Sequence, residues 1–389
     1  MTRNTGTYQI TTVAGESVKA FVPHPLPPTR PRFAISDKLE QLFQKATQAL
    51  GQLSLAGKMV PSLDWFIYAF VRKEAVTSSQ IEGTQATLID LLAFEAEDNN
   101  DTKSDTDIEE VCNYLEAIKY ARGHLKRNNG LPLSMRLLNE THKRLMQGVR
   151  GGTKQPGRIR QSQNWIGGAR PGIARFVPPP PQVLADLLSN FEKYIHADDD
   201  LPPLIRIGLL HVQFETIHPY LDGNGRIGRL LITLLLEHWN LLEQPLLYLS
   251  LYFKKHRDEY YERLGRVRTH GDWELWIEFF LDGVATIASE AAGLAQELFA
   301  LVNTDRKKVI EASEATVMAV RLFENLPLHP IVTMPGVVKM FATTKPTASK
   351  AITILRELGI LVEQSGRKRD RTFGYAAYLE KLKVGTELG

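Results

Sequence analysis

His218-Pro219-Tyr220-Leu221-Asp222-Gly223-Asn224-Gly225-Arg226-Ile227-Gly228-Arg229 runs directly into the apolar segment 230–236. A histidine, a carboxylate, a group of small residues and two arginines thus precede a stretch that reads as a helix. Gly223 and Gly225 bracket Asn224, so the backbone can take positive φ and approach a ligand with no Cβ in the way. Successive N–H groups in such a turn form a concavity for anions, and the dipole of the following helix favours negative charge. Asp222 at its mouth is a hard oxygen ligand suited to Mg2+ bridging phosphate oxygens. Arg226 and Arg229, three residues apart on a helix, can present both guanidinium groups to one face. His218, with an ordinary pKa of roughly 6.5, is placed as a candidate general base. Any one of these features fits a plain turn. Together they match phosphoryl-type chemistry, in which positioning and charge stabilisation carry most of the catalysis.

The stretch resembles the signature of the Fic family, His-x-Phe-x-Asp/Glu-Gly-Asn-Gly-Arg-x-x-Arg. Seven of its eight specified positions match, with Tyr220 where phenylalanine is usual. As an apolar anchor for the loop, a tyrosine serves if its hydroxyl finds a partner. The resemblance implies a mainly α fold, a Fic-type helical bundle with a small β-hairpin flap. It also implies transfer of AMP from ATP to a hydroxyl side chain of a target protein. His218 would then deprotonate that hydroxyl and Asp222 would hold Mg2+. Asn224 with the amides of Gly223 and Gly225 would cradle the α-phosphate, while Arg226 and Arg229 would hold the β- and γ-phosphates. The Doc-like kinases of the family carry a lysine where this chain has Gly225, which favours AMP transfer over phosphate transfer.

A second motif lies upstream. Ser78-Ser79-Gln80-Ile81-Glu82-Gly83 fits the family's inhibitory pattern, Ser/Thr-x-x-x-Glu-Gly/Asn. Ser78 and Glu82 are four apart, hence on one face of a helix, and Gly83 is a natural helix stop. Without the first motif this hexapeptide is an ordinary helix end. The resemblance implies that Glu82 forms a bidentate pair with Arg229. That pair would occupy the arginine meant for the γ-phosphate and leave the α-phosphate badly aligned for attack. The inhibitor precedes the catalytic motif, as in the family's class with an N-terminal inhibitory helix.

The chain divides into an N-terminal helical region with the inhibitory motif (1–100), a catalytic domain (101–300) and a C-terminal domain (301–389). Helical periodicity covers 36–92, 108–126, 134–146 and 204–214, the last with His211 on the face of His218. Residues 23–31 form a proline-rich extended lead-in, and 98–107 an acidic, solvated connection. Residues 159–166 and 174–177 read as two strands of a hairpin. In the family a flap here pairs with the target's backbone by strand addition; a hairpin without a partner is the alternative. Farther on lies Lys254-Lys255-His256-Arg257, where His256 stands in place of an asparagine that the family often carries near the nucleotide. A solvated basic helix face is the competing reading. No spacing of the His-Glu-x-x-His kind supports zinc.

Helical patterns at 315–324, 334–342 and 347–357 lead to residues 360–363, a basic turn 365–371, and 373–375. Three helices followed by a hairpin with a basic tip is the plan of a winged helix-turn-helix domain. With DNA as partner, Lys345, Ser349 and Lys350 would enter the major groove and Arg367 to Arg371 would touch phosphate. Dimerisation or protein docking is the other use of such a domain.

Bulk properties set bounds. At 389 residues the chain can hold two or three domains. A net charge of +3 carries no global nucleic-acid signal, and the lone Cys112 excludes a disulfide framework or thiolate metal site. The first residues lack an apolar signal core, and the longest apolar run is far too short to span a membrane. The expectation is a cytoplasmic, autoinhibited protein adenylyltransferase, with no membrane partner, acting on Ser, Thr or Tyr of a target or of itself. Two alternatives stand beside it: a DNA-binding regulator with the Fic domain as nucleotide sensor, and an enzyme that also removes AMP, with Glu82 orienting water. Sensing alone has no need of His218. A homodimer shielding the inhibitory helix is compatible with each.

Overall fold

Local turn chemistry sets the first element of this computed structural model, which describes residues 3–29, 31–59, 62–97, 106–364 and 371–388. Strands β1 (Gly6–Val13) and β2 (Glu16–Pro23) pair antiparallel across a two-residue loop. Ala14 and Gly15 both take positive φ there, as a tight hairpin whose twist matches its strands requires. One face buries Val13, Val18 and Ala20; Tyr8 and Ile10 lie exposed on the other. The sequence reading assigned no strand to this region. Beyond it the proline-rich lead-in crosses the surface, with Gln213 donating to the His24 carbonyl at 3.0 Å; Arg30 lies outside the described residues.

The helical stretch expected over 36–92 is three helices, α1 (Asp37–Met59), α2 (Leu63–Ile81) and α3 (Leu88–Glu97). Gly83, at φ +99°, ends the second of them just after Glu82. Most of the expected acidic connection, residues 98–105, lies outside the described residues. Then come α4 (Thr106–Leu125) and α5 (Met135–Leu145), the latter capped by Ser134, whose Oγ accepts from the Leu137 amide. After a long irregular segment follow α6 (Leu184–His196), α7 (Pro203–Ile217) and α8 (Asn224–His238). Helices α7 and α8 are buried nearly all round, which marks the centre of a bundle. Short α9 (Ser250–Lys255) and α10 (Arg257–His270) lead into α11 (Trp273–Glu311), 39 residues long. Small residues on one stripe of α11, Ala285, Ala288, Ala292 and Ala295, let it lie closely along α1.

The irregular segment corrects one expectation. In place of two strands over 159–166 and 174–177 there is a single antiparallel bridge, Ile166 with Phe176, and an adjoining bond from the Arg175 amide to Gly167. Residues 178–181 are prolines without amide hydrogens, and Arg160 turns inward, so a ladder cannot propagate.

Toward the C-terminus come α12 (Val317–Asn325), β3 (Ile331–Thr333), α13 (Met334–Phe341), α14 (Lys345–Glu357), β4 (Leu361–Glu363), β5 (Thr372–Tyr375) and α15 (Ala376–Lys383). Thr316, Thr333 and Thr344 cap their helices through their hydroxyls. The three strands form an antiparallel sheet in the order β3-β5-β4. The sequence reading had neither β3 nor α15, and most of the expected basic tip, 365–370, lies outside the described residues. The region shares the core of the rest: Tyr375 donates to Asp305 of α11 at 2.8 Å, and Thr333 to the Ala96 carbonyl at 3.3 Å. Among the described residues no helix is long and apolar enough to cross a membrane.

Candidate active site

His218 turns the chain out of α7. It takes φ +50° and ψ 63°, a left-handed conformation unusual for a side chain with a Cβ, while its amide still donates to Phe214 at 2.9 Å. Arg160 holds the turn. Its Nε donates to the His218 carbonyl at 2.9 Å and its Nη2 to the Pro179 carbonyl at 2.6 Å. Burial lowers the pKa of Arg160 to about 10, which leaves it charged at neutral pH. The sequence reading had Arg160 inside an expected strand and gave it no role.

The loop after His218 is closed by its own side chains. Asn224 Oδ1 accepts from the Tyr220 amide at 2.9 Å, and its Nδ2 donates to the Tyr220 carbonyl at 2.8 Å. The side chain of Asn224 is thereby committed to the loop, and what it offers an anion is its backbone amide. Tyr220 is buried, donates to Asn139 Oδ1 at 2.9 Å, and stacks on His142 with ring centroids 3.8 Å apart. His142 receives the Gly157 amide on Nδ1, so its Nε2 carries the proton and donates to the Asp222 carbonyl at 2.9 Å. Burial pushes His142 down to about 4, in keeping with that neutral tautomer.

Asp222 accepts from the Gly223 amide at 2.7 Å and from Lys154 at 3.0 Å. Partial burial works against its charge, but Lys154, the Gly223 amide and Arg226 outweigh it and hold its pKa below the usual carboxylate range. Gly223 takes φ +76°, and α8 begins immediately after. The first amides of a helix have no acceptor within it.

The two arginines part company. Arg229 donates from Nε to Ser78 Oγ at 3.0 Å and from Nη2 to the Ser78 carbonyl at 2.8 Å. The same Nη2 meets Glu82 Oε1 at 2.7 Å, a contact through one carboxylate oxygen in place of the expected bidentate pair. A Cβ on Gly225 would come within 2.2 Å of that oxygen, so the pair fits only over a glycine. Arg226 instead points to Glu110, at 3.4 Å, and to Met146 Sδ.

Glu82, Glu215, His218, Gly225 and Arg229 line one cavity of about 730 Å3, roofed by the flap residues 165–168, Ile173, Arg175 and Phe176 and walled by Tyr260, Tyr261 and Arg268. The His218 ring loses its proton readily: burial, and then the Arg160 guanidinium, push its pKa down to about 4, offset in part by the Glu215 carbonyl. Its Nδ1 is buried and has no hydrogen bond of normal geometry among the described residues. Glu215, which the sequence reading passed over, stands three residues before His218 in the last turn of α7. Its Oε1 is buried without a partner among the described residues, and burial raises its pKa to about 7.

Two stretches of the chain match family models. Residues 40–123 match the Fic/DOC family N-terminal domain, and residues 132–236 match the Fic/DOC family domain. The chain carries both of these Fic/DOC domains. It is 30% identical over 184 residues to the protein adenylyltransferase Fic of Culex quinquefasciatus, covering 47% of this chain and 33% of that one. With its Drosophila grimshawi counterpart it shares 29% over 205 residues, 52% of this chain and 39% of the relative. The chain thus spans between a third and two fifths of the length of these curated relatives. Among solved structures, a Fic family protein from Desulfovibrio desulfuricans G20 has the same fold. Its TM-score is 0.56 at 19% identity, over 88% of this chain and 97% of that one.

Other expected residues of this Fic/DOC chain lie away from the cavity. His256 sits exposed between α9 and α10, its ring 4.4 Å from that of Tyr252, and does not line the cavity. That segment sends Tyr260, Tyr261, Leu264 and Arg268 there instead. His211 is buried between the Gly228 carbonyl at 3.0 Å and the Tyr260 hydroxyl at 2.8 Å, a tie between α7, α8 and α10. Among the described residues no group of three or more His, Cys, Asp or Glu could hold a metal ion alone.

Proposed function

We propose that this chain is an autoinhibited protein adenylyltransferase, moving AMP from ATP to a Ser, Thr or Tyr hydroxyl of a target protein or of itself. One observation carries the reading. A single cavity gathers an unprotonated His218, the N-terminal turn of α8, and an arginine already engaged by Glu82. His218 takes the proton of the incoming hydroxyl, whose oxygen attacks the α-phosphorus; the bond from that phosphorus to the bridging oxygen breaks, and pyrophosphate leaves. The free amides at the start of α8 bind the α-phosphate oxygens. Asp222, ionised and at the loop mouth, suits Mg2+ arriving with the nucleotide, the protein supplying one hard ligand and the phosphates the others. Bound there, Mg2+ would neutralise phosphate charge, and Lys154 would have to yield its contact. Arg226 is already directed to Glu110, so Arg229 is the residue available to the outer phosphates, once Glu82 leaves it.

Labelled-ATP incorporation tests the scheme. Glu82→Gly should raise transfer by about a hundredfold, since small misplacements of reacting atoms cost that order of rate. Adding His218→Ala should abolish it. Equal rates for wild type and Glu82→Gly remove the inhibitory role, and transfer by the double variant removes the base.

The same reading divides the chain at 1–100, 101–300 and 301–389. For the last part, the order α12-β3-α13-α14-β4-β5 and the sheet order β3-β5-β4 support a winged helix. A second reading, DNA binding, is favoured by exposed Lys345, Ser349 and Lys350 on α14. A gel shift that weakens steeply with salt would support it, because phosphate contacts release counterions.

A further inference from the structure

A larger cavity adjoins the one holding His218. It encloses about 960 Å3 and shares Arg175, Phe176, Tyr261 and Arg268 with its neighbour. Three elements wall it: the hairpin β1–β2, the flap, and α10. The hairpin lies outside both segments that match the Fic/DOC family.

Hairpin and flap form one body. The Phe21 amide donates to the Val177 carbonyl at 3.0 Å. Glu16 accepts from Arg170 at 2.8 Å and from the Gly172 amide at 2.9 Å, and Val13, Val18, Ala20 and Val177 share a small core. With that face buried, alternation turns Tyr8, Ser17 and Lys19 toward the groove. The walls differ in charge. Lys19 on the hairpin and Arg175 on the flap are exposed and make no ion pair among the described residues. Opposite them, Asp258 and Glu262 are four apart on α10, hence on one face, and are likewise exposed and unpaired among the described residues; the other charges of α10 at this groove are engaged, Arg266 with Asp272 and Arg268 over the Phe176 ring.

We propose that this groove is the docking surface for an extended segment of the target polypeptide, with an acidic side chain next to the acceptor hydroxyl seated against Lys19 and Arg175. The proposal rests on the reading of the adjoining cavity as an adenylyl-transfer site. Main-chain pairing with a flap edge carries no choice of sequence; neighbouring side chains must supply it. Charge complementarity across a two-signed groove fixes both the register and the direction of the bound segment. A basic residue on the other side of the hydroxyl then faces Asp258 and Glu262.

Arrays of short peptides centred on Ser, Thr or Tyr test this with the full chain carrying Glu82→Gly. Binding is read by fluorescence, and transfer with labelled ATP. Peptides with an acidic flank should bind and be labelled best. Lys19→Glu should cut that preference about tenfold, as expected for turning one exposed attraction into a repulsion. Glu262→Lys should do the same to the basic-flank preference, with ATP affinity unchanged in both variants. Binding that keeps this charge pattern without labelling upholds the groove and sinks the transfer reading. The docking proposal is overturned if acidic and basic flanks bind alike, if neither variant shifts preference, if only a second copy of the chain is labelled, or if ATP affinity falls along with peptide binding.

Discussion

At the residue scale the decisive side chain is His218, and its burial makes a prediction about pH. Its folded pKa of about 4 lies below the ordinary value of 6.5, so the ring stays a competent proton acceptor well into acid. Transfer by Glu82→Gly at saturating ATP should therefore show no acid limb assignable to this ring between roughly pH 6 and 8. A limb in the pH–rate profile centred near 6.5 would show that the ring is solvated as in water. Arg160 supports the same residue from behind. Arg160→Ala leaves the buried carbonyls of His218 and Pro179 without donors, and stability in urea should fall by about 3 kcal/mol. A loss within the range of ordinary surface substitutions would mean the left-handed turn at His218 holds without it. Much of the site was legible because its parts are local. Tyr220, Asp222, Gly223 and Asn224 complete one another within a few residues, and Ser78 and Glu82 share one helical turn. What escaped depends on distant partners. Arg226 meets Glu110 across 116 positions, Lys154 meets Asp222 across 68, and Arg160 finds His218 only after folding.

At the scale of elements, legibility followed periodicity and capping. The helices on either side of the motif could be read from their apolar runs, and α5 because its apolar spacing and its Ser134 cap agree. The strand β3, three residues long, is too short for alternation to register, and α15 spans only eight. The flap misled because β-prone residues at 159–166 are pulled into an irregular path by the inward turn of Arg160. Conversely the hairpin β1–β2 carries a clear inward set, Val13, Val18 and Ala20, and that set braces the flap. Removing one clamp tests the brace. Glu16→Ala deprives Arg170 and the Gly172 amide of their acceptor. Amide hydrogen exchange at Gly172, Ile166 and Phe176 should quicken, with α7 and α8 unchanged. Unaltered exchange in the flap would assign its position to the Phe21–Val177 bond and the apolar contacts alone.

At the scale of the whole molecule, α2 is tied at several points to elements far from it in sequence. Arg257 donates to the Ile81 carbonyl, and Gln80 donates to the Thr386 carbonyl near the C-terminus. One helical turn before Ser78, Glu74 reaches α9 through the amide and hydroxyl of Ser250. Burial raises the pKa of Glu74 to about 7, despite those hydrogen bonds and the nearby Arg229. The folded state therefore keeps a proton that the unfolded chain gives up near pH 4.5. This contribution to stability is complete below pH 4.5 and is lost as pH rises through about 7. His142, His211 and His218 act in the opposite sense. Their folded values, about 4, 3 and 4, lie below 6.5, so their contribution is present above pH 6.5 and is lost as pH falls toward 4. Glu215, which burial also raises to about 7, acts with Glu74; the two sets oppose each other between 4.5 and 6.5, and from there to about 7 only the carboxyl effects remain, that of Glu74 among them. Glu74→Gln isolates it, because the amide reproduces the neutral acid, donating to the Ser250 hydroxyl and accepting from its amide. The variant should melt with wild type near pH 5 and several degrees above it at pH 8, followed by calorimetry. An offset equal at both pH values would show that Glu74 is already ionised in the folded protein. The contact of α2 with α9 would then be an ordinary charged one, indifferent to pH across this range.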